Sequence, residues 1–126
     1  MTIEELEQRH DRLRHQFMQV YNDLERLRLS HGLTMYQVHI LPDVPHELTE
    51  GSPEMKPMAD ERKKMLDALP GDVRAAAIML SEVNYLYVDA EIKLAQTMHA
   101  KGRSTKEIAE RLGRDEETSR QMATAG

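Results

Sequence analysis

Six histidines and 22 carboxylates are the groups in this chain whose chemistry reaches beyond packing. Imidazole and carboxylate together ligate metals, and the same pair carries much acid–base catalysis. Spacing argues against both uses. Two ligands share a helical face when they stand three or four residues apart, yet His10 and His15 are five apart in the sequence. His31, His39 and His46 with Asp43 could gather round a loop, but nothing in their spacing requires it. Ordinary surface or seam histidines account for them better. Asp43, Glu47, Glu50 and Glu54 fall in a proline-rich stretch, where carboxylates are more often solvated than catalytic. The absence of cysteine excludes disulfides, thiolate catalysis and cysteine-type zinc sites. There is no phosphate-cradling glycine loop and no nucleophile elbow. The expectation is a protein that is not an enzyme and holds no metal or cofactor.

A second set of polar groups lies in 101-KGRSTKEIAERLGRDEETSRQM-122. Ser104 and Glu107 have the spacing of a capping box, which predicts a helix from Thr105 to about Leu112. Ile108, Ala109 and Leu112 give it a short apolar face. Gly113 suits a tight turn at positive φ, and Asp115 can cap a last helix running through Thr118 to about Met122. Two short helices, a glycine turn and an alanine at their close approach make a helix-turn-helix pattern.

Those residues carry a resemblance. Gly102, Ser104, Glu107, Ile108, Ala109, Leu112, Gly113 and Thr118 match the pattern Gly-x-Ser-x-x-Glu-Ile-Ala-x-x-Leu-Gly followed by Thr-Val. The segment Lys101 to Arg120 thus resembles the bacterial helix-turn-helix of response-regulator output domains and sigma-factor region 4. The resemblance implies double-stranded DNA as partner, with the helix after Asp115 in the major groove. Glu116, Glu117, Arg120 and Gln121 would point outward. Arg120 suits guanine, Gln121 adenine, and a glutamate such as Glu117 accepts from cytosine. Lys101, Arg103, Ser104, Lys106, Arg111 and Arg114 would hold the phosphate backbone. Ser119 replaces the buried valine of the pattern, and Asp115, Glu116 and Glu117 set three acids in a row.

The charge distribution qualifies this picture. Net charge is −5, yet residues 43–61 hold one lysine against six acids, and residues 101–126 hold six Lys or Arg against five acids. An exposed acidic stretch can bind a basic protein partner or simply solubilise a linker.

These groups must be positioned by helices, since Met and Leu are abundant and aromatics scarce. Thr2 and Glu5 open the first helix with a capping box, and Gly32 stops it. Ile3, Leu6, His10, Leu13, Phe17, Val20, Leu24, Leu27 and His31 recur in steps of three and four, the seam of a coiled coil. At 1.5 Å per residue that helix is about 45 Å long, so its seam needs a partner. A second subunit is the first expectation, with Leu6, His10, Leu13, Phe17, Val20, Leu24 and Leu27 as the dimer contacts. The alternative is antiparallel packing on the later long helix. His10 and His31 would be polar breaks in the seam.

Between Leu33 and Leu41 a short helix capped by Thr34 and a single strand both fit. Residues 42–57, with four prolines, read as an acidic linker. A short amphipathic helix follows over 58–69. Pro70-Gly71 breaks it, and Asp72 can cap a long helix over 73–100, straight or bent. Val73, Ala76, Ala77, Leu80, Val83, Tyr87, Ala90, Leu94 and Met98 trace one apolar face. Ile78, Met79, Leu86, Val88 and Ile92 add a second, as a central scaffold helix does.

The predicted architecture is all-α in three parts: 1–32 for dimerisation, 33–57 as an acidic proline-rich loop, and 58–126 as a helical domain ending in the helix-turn-helix at 102–122. No segment has signal-peptide or membrane-spanning character, so a cytoplasmic setting is expected. The expected function is that of a small homodimeric DNA-binding transcriptional regulator. The alternative is a protein-interaction module, an inhibitor or adaptor, in which the helix-turn-helix is scaffold and the acidic stretch 43–61 meets a basic partner.

Overall fold

The computed structural model describes residues 1–39 and 56–125, and among these the fold is all-α, with helices and turns and no strand. Most of the acidic linker, together with Asp43 and His46, lies outside the described residues.

The first helix, α1, runs Ile3–Ser30. Thr2 caps it as its spacing predicts, with Glu5 N donating to Thr2 Oγ1 at 3.1 Å. Its C-terminus closes when Leu33 N donates back to Arg28 O, a Schellman-type end. The short helix α2, Met35–His39, resolves the choice left open for this stretch. Thr34 Oγ1 accepts from Gln37 N while Gln37 Oε1 accepts from Thr34 N, a reciprocal cap that a strand cannot use. Helix α3 is Lys56–Asp67 and α4 is Gly71–Ala100, one unbroken helix. It begins directly after Pro70, whose carbonyl accepts from Arg74 N at 2.8 Å. Helix α5 is Thr105–Leu112 and α6 is Glu116–Thr124.

Compact packing divides the chain into two units that do not follow the linear order of the expected domains. One comprises residues 1–15 and 86–126, the other residues 16–85. The reason is that α1 and α4 are each too long for one small core, so each lends one half to each unit.

In the unit of residues 16–85, Val20, Leu24, Val38, Leu69, Val73, Ala77, Leu80 and Val83 form the core. Leu24, Val38 and Val73 are fully buried. In the unit of residues 1–15 and 86–126, Leu6 packs with Leu94, Ala95, Met98, Ile108, Leu112 and Ala123. The start of α1 thus meets the end of α4 in one unit, and the end of α1 meets the start of α4 in the other. That is the antiparallel alternative for the seam. The contacts expected to join two subunits are taken up inside the chain: Leu6, His10, Val20 and Leu24 are buried, and Leu13, Phe17 and Leu27 half-buried, before any second copy is added. Helix α4 is about as long as α1, which lets it serve both halves of the seam.

The second apolar stripe of α4 differs from expectation. Ile78, Met79 and Leu86 are exposed, and only Val88 and Ile92 are half-buried. Among the described residues α4 is covered on one side.

A polar clasp holds α2 to α1. Glu25 accepts from Arg28 Nε at 2.9 Å and Nη2 at 2.7 Å and also meets His39. The His39 ring lies 5.1 Å from that of Tyr21, and Arg28 Nη1 donates to Leu33 O at 3.0 Å. The Arg28 hydrogen bond, resisted by partial burial and aided by His39, pulls the Glu25 carboxyl from 4.5 down to about 2. A depressed folded-state value contributes stability above pH 4.5 that is lost as pH falls toward 2. Urea unfolding of wild type and Glu25→Gln should therefore differ most at pH 6, and the gap should close through pH 4 to pH 2.5.

Candidate nucleic-acid interface

The C-terminal pair is built by local rules that its sequence states openly. Ser104 accepts from Glu107 N at 3.1 Å and Glu107 Oε1 accepts from Ser104 N at 3.3 Å, so the capping box is complete. Those bonds from Ser104, backbone first, hold the Glu107 carboxyl below its ordinary range. Gly113 sits at φ 71°, in the left-handed region where a side chain is strained. Gly113 N and Arg114 N both donate to Ala109 O, which closes α5 and turns the chain. Asp115 then caps α6, accepting from Thr118 N at 2.7 Å and from Thr118 Oγ1 at 2.9 Å. Replacing Ser104 by alanine should cost about 1 kcal/mol, read as a fall in urea midpoint with unchanged slope.

Ile108, Ala109 and Leu112 of α5 are buried as their face predicts. From α6 the buried residues are Ser119 and Ala123. Ser119 keeps the inward position that the resemblance assigns to valine. Its hydroxyl is satisfied locally, donating to Asp115 O at 2.8 Å, so the small polar residue is buried without an orphaned group. The far end of α6 is tied down by Gln96 Nε2, which donates to Ala125 O.

The charged side chains divide into two classes. Glu117, Arg120 and Gln121 are brought together on the exposed side of α6, with Arg120 Nη2 2.5 Å from Glu117 Oε1 and Gln121 Nε2 3.3 Å from the same oxygen. The Arg120 guanidinium keeps the Glu117 carboxyl below its usual range. Lys101 and Lys106 are exposed and make no ion pair among the described residues; Arg103 lies 3.6 Å from Glu107. Arg111 and Arg114 instead turn toward their own chain. Arg111 donates to Glu7 at 2.7 Å and meets Asp11 at 3.2 Å. Arg114 Nε donates to Glu91 Oε2 at 2.5 Å.

Glu91 was not anticipated as part of this arrangement. It is fully buried, and so is His10, whose Nε2 lies 3.2 Å from Glu91 Oε1. The His10 ring lies 5.3 Å from that of Tyr87, one turn before Glu91 on α4. Burial pushes the Glu91 carboxyl up, but the bonds from His10 and Arg114 outweigh it and hold the group below its ordinary range. The available sequence signal was weak: a lone acid beside Ala90 and Leu94 on an otherwise apolar stripe. His10 Nδ1 is buried without a hydrogen-bond partner, with the Asp11 carboxylate 3.6 Å away.

No known protein family, curated protein or solved structure matches this chain. What the site does is therefore argued from its own geometry. Among the described residues no three His, Cys, Asp or Glu side chains converge as metal ligands do, and no helix is long and apolar enough to cross a membrane. His31 and His39, considered above as ligands, each lie on a single carboxylate, Asp72 and Glu25.

Proposed function

We propose that this chain is a small, non-enzymatic DNA-binding regulator of transcription, with α5 and α6 acting as a helix-turn-helix. The observation that carries the reading is the capped pair itself. Both N-caps and the left-handed glycine turn are in place, and α6 keeps Glu117, Arg120 and Gln121 on its exposed side. Helix α6 is read as the groove-entering element, with Arg120 and Gln121 as base readers. Lys101, Arg103 and Lys106 are the cations left to grip phosphate, while Arg111 and Arg114 are withdrawn.

Three phosphate contacts imply a salt slope of about −3 per chain in a plot of log K against log salt. Titration onto mixed-sequence duplex at 50 and 150 mM salt measures it. Replacing Lys101 and Lys106 by alanine should lower the slope by about two. Absence of binding even at low salt would sink the reading. Two chains on a palindromic site remain part of the proposal, but the pairing is left to DNA symmetry because the α1 seam is filled from within.

A second reading is favoured by one observation. Arg111, Arg114 and Arg120 each already hold a carboxylate of their own chain, as in a scaffold whose task is protein binding. A pull-down from the native host that recovers one stoichiometric protein, together with no DNA binding, selects it.

A further inference from the structure

Arg114 stands immediately after the Gly113 turn and just before the Asp115 cap. A phosphate-gripping arginine in that place would reach outward. Here its Nε donates to Glu91, a carboxylate with no solvent access. Glu91 is in turn held by His10 from α1. A buried carboxylate is tolerated only with its donors in place, so Arg114 is not free to leave. The start of α6 is thereby fixed to α4 by a charged bond, and its far end is fixed to α4 by Gln96. The apolar contacts between these two points come from one half-buried methionine, Met122, and one alanine, Ala123.

We infer that Glu91 is a positioning residue for α6, acting through Arg114, and that Arg114 serves the DNA-reading surface from behind rather than by touching phosphate. The inference rests on the DNA-binding reading for its functional meaning. Its structural content does not, and the experiment separates the two.

The full-length chain is examined as Glu91→Gln and as Arg114→Lys, in both amide hydrogen exchange and DNA titration. Glutamine keeps the shape of Glu91 but drops the charge. Lysine keeps the charge of Arg114 but loses Nε. In free protein, amides of Glu116–Thr124 should exchange about tenfold faster in each variant, while those of Leu24 and Val73–Val83 keep their protection. On DNA, both variants should bind more weakly at an unchanged salt slope.

A phosphate-contacting Arg114 predicts the reverse. Glu91→Gln would release the guanidinium, tighten binding and steepen the slope by about one, and Arg114→Lys would bind as wild type does. Either result overturns the inference, as does unaltered exchange in α6. If the wild type binds no DNA, the functional reading fails, and the exchange data alone still decide whether Glu91 positions α6. Should Glu91→Gln prove too unstable, Arg114→Lys, at the half-exposed end of the bond, carries both measurements.

Discussion

Replacing Leu94 by alanine is expected to lower unfolding free energy by about 3 kcal/mol and the melting temperature by about 10 °C. Leu94 is fully buried among Leu6, Met98, Ile108 and Leu112. Truncation removes its transfer energy and leaves a cavity that helices meeting from α1, α4 and α5 cannot readily close. Met79→Ala, on the exposed side of the same helix, should fall within about 0.5 kcal/mol of wild type. Two compact units add a second expectation. In Leu94→Ala, amides of residues 105–124 should lose protection before those of residues 20–24, and thermal transitions monitored at the two places should separate. Equal losses from Leu94→Ala and Met79→Ala would contradict the burial pattern.

Replacing His10 by leucine is the second large effect, a loss of about 3 kcal/mol. Leucine is close to histidine in volume, so the loss comes from elsewhere than packing. The Glu91 carboxylate would forfeit its bond to the imidazole while still denied water. Replacing both residues, His10→Leu with Glu91→Met, should restore most of that loss, because an apolar pair needs no donors and Arg114 is exposed enough to swing into solvent. A double-mutant cycle by urea unfolding measures the coupling. Should Glu91 position α6 as inferred, the double variant regains global stability while exchange at Glu116–Thr124 stays fast. A His10→Leu single variant as stable as wild type would show that the imidazole bond contributes nothing to holding the charge.

The elements that were legible in the sequence are those fixed by nearest neighbours. Thr2 with Glu5, Ser104 with Glu107, Gly113 at positive φ and Asp115 before α6 all work within four residues, and each is found where its spacing placed it. The inward face of α4 was equally plain, since a 3.6-residue period depends on the helix alone. What periodicity cannot specify is the identity of the opposing surface. The α1 seam reads the same whether its partner is a second copy or the chain's own α4. The Glu91 arrangement was hidden for a related reason: His10, Glu91 and Arg114 are brought together from three distant stretches, and no local rule links them. The place of Arg114 among residues that resemble a DNA-reading segment gave no sign of its bond to Glu91. Ser119 stands where the pattern has a buried valine, and sequence alone does not show its hydroxyl folding back onto Asp115 O.

The half of α1 from Ile3 to His15 belongs with residues that arrive some seventy positions later. During synthesis at about 5–20 residues per second, Leu6 and His10 wait while the whole stretch 16–85 is made, and their counterparts Glu91, Leu94 and Ile108 emerge late. The intervening stretch has its own core and can settle first. A truncated product beginning at residue 86 would lack Ile3, Leu6 and His10, which pack against or bond to the rest of this unit, so α5 and α6 are not a module that can be cut out and moved. Circularly permuted chains that join the present termini and open elsewhere would make this unit contiguous, and should assemble it sooner.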